Sequence, residues 1–217
     1  MNVLKAGAMS ALLGSLLFGC EGRNPAAVSD GATGPDAGTG ISAKAGGSQD
    51  ALMRWDIIKI DFATGTVSAG GVARAFANDN SKIRLTGTGT FRSNPQRPRA
   101  VTGGGRWTTF APDRSKTGSG RYKVTGFVSF VLAPGTFPLP NDNIGTPADA
   151  RAGLVVLKIS YSDGSDGVLI VSCHFAGTPD AVFEGVTASK GFVDYWNREV
   201  PPAPPGNANR TAFHVIH

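Results

Sequence analysis

The sequence predicts an all-β domain, a small antiparallel β-barrel with a β-sandwich as the alternative, and three observations carry that prediction. Among 217 residues there are 30 glycines and 14 prolines, and only 17% of residues are charged. Short runs rich in Val, Ile, Thr and Phe alternate with glycine-containing breaks, the pattern of many strands joined by turns. Beyond residue 20 the strongest hydrophobic period is two, with no sustained i, i+3, i+4, i+7 stripe. Glycines also recur inside strand candidates, as in Thr86-Gly87-Thr88-Gly89-Thr90, Thr102-Gly103-Gly104-Gly105-Arg106-Trp107 and Val124-Thr125-Gly126-Phe127. Such glycines mark bulges, curvature or close backbone approach, which fits a closed sheet better than a flat one.

Taken in order, residues 55–62 read as the first strand, with Ile58, Ile60 and Phe62 on one face and Ile57, Lys59 and Asp61 on the other. A second run at 72–77 ends in the turn-forming Asn78-Asp79-Asn80, and Ile83 and Leu85 begin a third with Lys82 and Arg84 facing out. The clearest hairpin covers residues 154–176. Val155, Leu157, Ile159 and Tyr161 share one face, Asp163-Gly164 and Asp166-Gly167 supply the turn, and Leu169, Val171, Cys173 and Phe175 share a face on the return. A proline-rich loop at 134–147 is expected to overhang one end of the domain, and a second at 201–209 precedes a last strand at 211–216. Nine or ten strands result, enough for a barrel or sandwich.

The chain before this domain reads as an address. Residues 1–19 carry one cation, Lys5, and no acid, followed by a short run of Ala, Leu and Gly, as in a secretory signal peptide too short to span a bilayer. The end of that run, Leu17-Phe18-Gly19-Cys20, resembles the lipobox of bacterial lipoproteins. The resemblance implies cleavage before Cys20, acylation of its thiol, and attachment to a bacterial membrane in the cell envelope. Ordinary secretion is the alternative. Residues 20–50 are small and polar and read as a flexible linker, leaving residues 51–217 as a single β domain. A closed domain of about this size folds by core packing without metal or disulfide. Residues 186–197 (Val-Thr-Ala-Ser-Lys-Gly-Phe-Val-Asp-Tyr-Trp-Asn) and 209–214 resemble a stretch of exported bacterial proteins, which implies export and no particular activity.

Charge is unevenly placed. Residues 92–123 hold Arg92, Arg97, Arg99, Arg106, Arg114, Lys116, Arg121 and Lys123 against the single acid Asp113, a net of +7, and the rest of the chain beyond residue 19 is slightly acidic. Such a segment is a candidate face for an anionic surface or polymer; solvated edge strands guarded by lysine and arginine are the plainer reading. Phe183, Phe192, Tyr195 and Trp196 form a second candidate, a pocket for a small apolar ligand at a barrel mouth.

Other chemistry finds little footing. Gly103-Gly104-Gly105 lacks the spacing and lysine of a phosphate loop, and Ser68 misses the Gly-x-Ser-x-Gly elbow by one residue. Asp163 and Asp166 lack the ligand count of a calcium loop. His174, His214 and His217 show no ligand spacing; alternation turns His174 and His214 away from the core, and no metal or other cofactor is expected. Cys173, flanked at two-residue spacing by Leu169, Val171 and Phe175, is expected to be a buried, inert thiol. The domain is therefore expected to bind a small apolar ligand or an anionic partner without catalysis, with no nucleic acid expected. The alternatives are a structural envelope protein or a small-barrel enzyme of cyclase or isomerase type with Asp194, Tyr195, Glu184 or His174 as acid or base, by analogy with the barrels of allene oxide cyclases and dirigent proteins.

Overall fold

The structure, a computed structural model, describes residues 50–94 and 96–217. The signal peptide expected over 1–19, the acylation site Cys20 and the linker up to residue 49 lie outside the described residues. The strands are β1 (Leu52–Asp61), β2 (Thr66–Ala69), β3 (Ala73–Phe76), β4 (Lys82–Leu85), β5 (Thr88–Arg92), β6 (Val101–Phe110) and β7 (Lys116–Ala133). After them come β8 (Asn141–Asp142), β9 (Ala150–Tyr161), β10 (Asp166–Cys173), β11 (Gly185–Lys190), β12 (Val193–Tyr195), β13 (Asn197–Arg198) and β14 (Arg210–Ile216). Fourteen strands stand where nine or ten are expected, because several pieces of two to four residues pair only briefly. As the glycine inside the 124–127 strand candidate suggests, β7 runs for 18 residues through Gly126. Its register shifts between Val124 and Gly126 and again between Phe127 and Ser129, so bulges absorb the glycine and bend the strand.

Six antiparallel strands close a barrel. β1 pairs β5, β5 pairs β6, β6 pairs β7, β7 pairs β9, β9 pairs β14, and β14 returns to β1. The remaining strands extend this wall: β10 and β11 continue from β9, and β4 and β3 from β6. The 154–176 hairpin forms as the alternation predicts, with Leu157 opposite Leu169 and Val155 opposite Val171, and both pairs fully buried.

The interior is filled by side chains. Phe91 stacks on Phe127 at 5.5 Å between ring centroids and meets Phe213 edge-on at 6.3 Å, and Trp107 meets Tyr161 edge-on at 5.8 Å. Each such ring contributes through its buried area and, in these geometries, about 0.5 to 1.5 kcal/mol more. The strand glycines make room for the largest of them. A Cβ at Gly89 would stand 2.7 Å from Trp55 Nε1 and 2.2 Å from the Thr102 carbonyl oxygen. Its partner on β6, Gly103, has φ +108°, which side-chain-bearing residues rarely adopt. The barrel closes tightly at β5 and β6 because nothing but glycine fits there.

The first strand is apolar on both faces, and the expectation about the long loop changes. Met53, Trp55 and Ile57 face the main core, while Ile58 and Ile60, on the outer side of the wall, form a second small core with Val67 and Ala212. The loop at 134–147 does not overhang an end. It lies along this outer wall, and Phe137, Leu139 and Ile144 pack on the second core. A strand with both faces apolar needs two covers, and the loop is the second.

Candidate functional site

β6 and β7 are joined by a tight turn in which Ala111 N–H donates to Ser115 O, Arg114 N–H donates to Ala111 O, and Asp113 Oδ1 accepts from Ser115 N–H. That turn sets the register, and the pleat then sorts the side chains. Trp107 and Tyr122 point inward and are buried, while Arg106, Arg121 and Lys123 point outward and are exposed. Arg106 lies directly opposite Arg121, and Lys123 stands opposite Gly104 on the same face. Like charges directly opposite one another destabilise a strand pair. Among the described residues neither arginine meets a carboxylate.

A second opposed arginine pair, Arg74 on β3 and Arg84 on β4, behaves differently. Arg74 Nη1 is 3.0 Å from Glu199 Oε2, and Arg84 lies over the Phe110 ring at 5.9 Å. There the repulsion is relieved within the protein; at Arg106 and Arg121 it is left open to solvent.

Two open clefts flank Arg121. One, of about 450 Å³, is lined by Gly70, Thr86 to Thr88, Gly104 to Arg106, Arg121 and Tyr122. The other, of about 390 Å³, is lined by Arg121 to Lys123 and Ser160 to Ser162. Among the described residues no carboxylate lines either. The backbone beneath the cations is held firmly. Arg106 N–H donates to Thr86 Oγ1 at 3.1 Å, Arg121 N–H donates to Ser162 Oγ at 3.1 Å, and Arg121 O accepts from Ser162 N–H at 2.8 Å and from Trp107 Nε1–H at 3.1 Å. Tyr122 O–H donates inward to Thr86 O and Tyr161 O–H to Ser189 O, and burial pushes both phenols well above their usual range. The arginine heads thus stand on a rigid floor whose aromatic rings are engaged below it.

The other cations of the 92–123 segment lie elsewhere. β6 spans its ten residues over roughly 30 Å, with Arg92, Arg97 and Arg99 at one end and Arg114 and Lys116 at the other. Arg92 and Arg97 approach Asp50 Oδ2 at 3.9 and 3.5 Å. Lys190, in contrast, sits 4.4 Å over the Trp107 ring and donates to Asp163 and to Ser165 Oγ. That contact holds the Asp163 carboxyl at about 2, below the usual carboxylate range.

Phe183, Phe192, Tyr195 and Trp196 face different surroundings. Tyr195 is buried in the main core, Phe192 is 99% exposed at the β11–β12 turn, Trp196 is 48% exposed, and Phe183 is half-buried beneath Arg198. Among the acid and base candidates, Glu184 ties β10 to β14, accepting from His174 N–H and Thr211 N–H at 2.6 Å each. Burial nonetheless pushes its carboxyl up to about 8. The His174 ring bonds Val182 O at 2.8 Å, and Asp194 is exposed. Cys173 is fully buried, its thiol donates to Thr211 O, and burial raises it well above the usual thiol range.

One charged group escapes the sequence reading. On the outer face of β1 and β14, Arg54 makes a two-pronged pair with Asp56 (2.7 and 3.0 Å), and His214 Nε2 lies 2.7 Å from Asp142 Oδ2. Asp56 and Asp142 carboxyls are fully buried and His214 is 2% exposed. Alternation does turn His214 away from the main core, but the loop at 134–147 then covers it. Arg54-x-Asp56 on one strand face is a weak signal for such a pair; Asp142, in a proline-rich loop, carries none. Among the described residues no set of three or more His, Cys, Asp and Glu is placed to hold a metal ion. No protein-family model matches the chain, and no curated protein and no solved structure does either.

Proposed function

We propose that the domain is a non-catalytic binding module that takes an anionic ligand on the outer wall of the barrel, at Arg106, Arg121 and Lys123. The observation that carries this reading is the direct opposition of Arg106 and Arg121 on a rigid, carboxylate-free floor. Folding alone gives no reason to hold two arginines there, since the arrangement costs stability until an anion shares them. The filled barrel interior favours this reading over an apolar ligand held inside. The lipobox-like junction at Cys20 supports placing the module at the surface of a bacterial membrane in the cell envelope, with the segment 20–50 as its leash.

Retention on carboxylated and on uncharged beads tests the reading. The full chain is expected to stay on the carboxylated beads at low salt and to elute as ionic strength rises, and Arg106→Gln with Arg121→Gln to elute much earlier. Equal elution of the double variant and the parent overturns it. Cys20→Ser is expected to move the protein from the membrane fraction to the soluble fraction; continued membrane retention defeats the anchoring part.

A further inference from the structure

The two clefts share Arg121 and Tyr122 in their linings and so adjoin as a shallow trough with Arg121 between its halves. It crosses four backbone columns: Thr86 to Thr88, then β6 at Gly104 to Arg106, β7 at Arg121 to Lys123, and the end of β9 with Ser160 to Ser162. Three interstrand steps make that roughly 14 Å across. We infer that the trough binds a linear acidic polysaccharide lying across the strands, an inference that rests on the anionic-ligand reading above and names its ligand class.

Three features select this class. First, Arg106 and Arg121 stand about 5 Å apart at Cβ in the direction across the strands, and Lys123 lies beside Arg121, two residues along β7. That spacing is comparable to the length of one sugar residue, so a polyuronate chain crossing the strands can set one carboxylate against each arginine, with Lys123 to the side of the second. Arginine is suited to carboxylate because its planar fork makes two parallel bonds. Second, the rest of the lining is hydroxyl and bare backbone. Thr86, Thr88, Ser160 and Ser162 line the trough, together with the glycines at 87, 104 and 105, which carry no side chain. Hydroxyls that donate and accept suit sugar hydroxyls, directly or through water. Third, two rival polyanions lack their usual footholds. Tyr122 and Tyr161 lie under the floor with their hydroxyls bonded inward, so no ring face is offered for a base to stack on, as single-stranded nucleic acid needs. The exposed apolar residues Val128, Val131, Leu132 and Phe192 do not line the trough, so no apolar wedge accompanies the cations as a membrane interface needs.

The test uses the full chain in a Cys20→Ser background, which removes the proposed acylation site. Its affinity is measured by calorimetry for galacturonate monomer, trimer and longer oligomers, for neutral dextran oligomers, for vesicles containing an anionic phospholipid, and for single-stranded oligonucleotides. Affinity for the galacturonates is expected to climb from monomer to trimer and then level off, with neutral dextran showing none. Arg121→Gln, at an exposed position, is expected to weaken trimer binding about tenfold while leaving the melting temperature unchanged or slightly raised. Binding to vesicles or oligonucleotides without binding to the galacturonates overturns the polysaccharide inference and leaves the anionic-ligand reading standing. No length dependence, or trimer binding untouched by Arg121→Gln, overturns it as well. Failure of every anionic probe to bind overturns both.

Discussion

On β1 and β14 the outer wall of the barrel carries Arg54, Asp56 and His214: Arg54 pairs with the buried Asp56, and His214 bonds Asp142 in the loop that covers it. On β6 and β7 the same outer wall carries Arg106, Arg121 and Lys123, and these meet one another under open solvent. Both arrangements arise from the same pleat. The covered charges must be paired, because an unpaired ion out of water costs several kcal/mol. The open ones can remain unpaired because water screens them, and they stay available for a ligand. Cover, rather than charge content, separates structural ions from binding ions in this molecule.

Breaking the covered side is expected to have the largest effect. Asp142 accepts from His214 and also from Ile144 N–H and Gly145 N–H, so it holds both the histidine and the loop. Asp142→Ala is expected to cost about 1 to 3 kcal/mol of unfolding free energy, as removal of the acceptor of a buried donor does. A urea-denaturation loss below about 1 kcal/mol, at the scale of an exposed pair, would show that the loop gives water access to His214.

Glu184 supplies an intermediate case, a buried carboxyl held by backbone donors and, among the described residues, bonded to no cation. Its value of about 8 in the folded protein lies above its ordinary 4.5, so the folded state keeps a proton that the unfolded chain releases. Stability contributed by that proton is full below about pH 4.5 and is lost as pH rises towards 8. The slope is up to about 1.4 kcal/mol per pH unit from this one group. Glu184→Gln is expected to flatten it, measured as melting temperature against pH; an unchanged profile would show that the backbone donors outweigh burial.

The smallest expected effect sharpens the open side. Arg121→Gln relieves the repulsion with Arg106 and is expected to leave stability unchanged or raise it by up to about 0.5 kcal/mol. A loss above about 1 kcal/mol in chemical denaturation would mean that Arg121 is structural and that the opposition has a folding role.

Much of the wall was legible from alternation alone. In the 154–176 hairpin every second residue on both arms is buried, because two apolar rows can share one core only in that register. Cys173 lies inside for the same reason. The glycine-rich strands signalled a closed sheet, although which ring each glycine admits depends on the partner strand. The two faces of β1 were legible from alternation too, but Ile58 and Ile60 carry no sign of which cover they await.

What this sequence determined by itself is local: the strand periodicity, the turn chemistry, the inward row of each hairpin, and a net of +7 between residues 92 and 123. Which of those eight cations act together was decided by tertiary structure. The turn at 111–115 brings Arg106 opposite Arg121 across 15 positions of chain, while the length of β6 carries Arg97 and Arg114 to opposite ends. Asp142 and His214 lie 72 residues apart and meet only because the loop folds over the wall. Alternation is a property of one strand, but register, closure and cover belong to pairs of segments, and their free energy is realised only when both are in place.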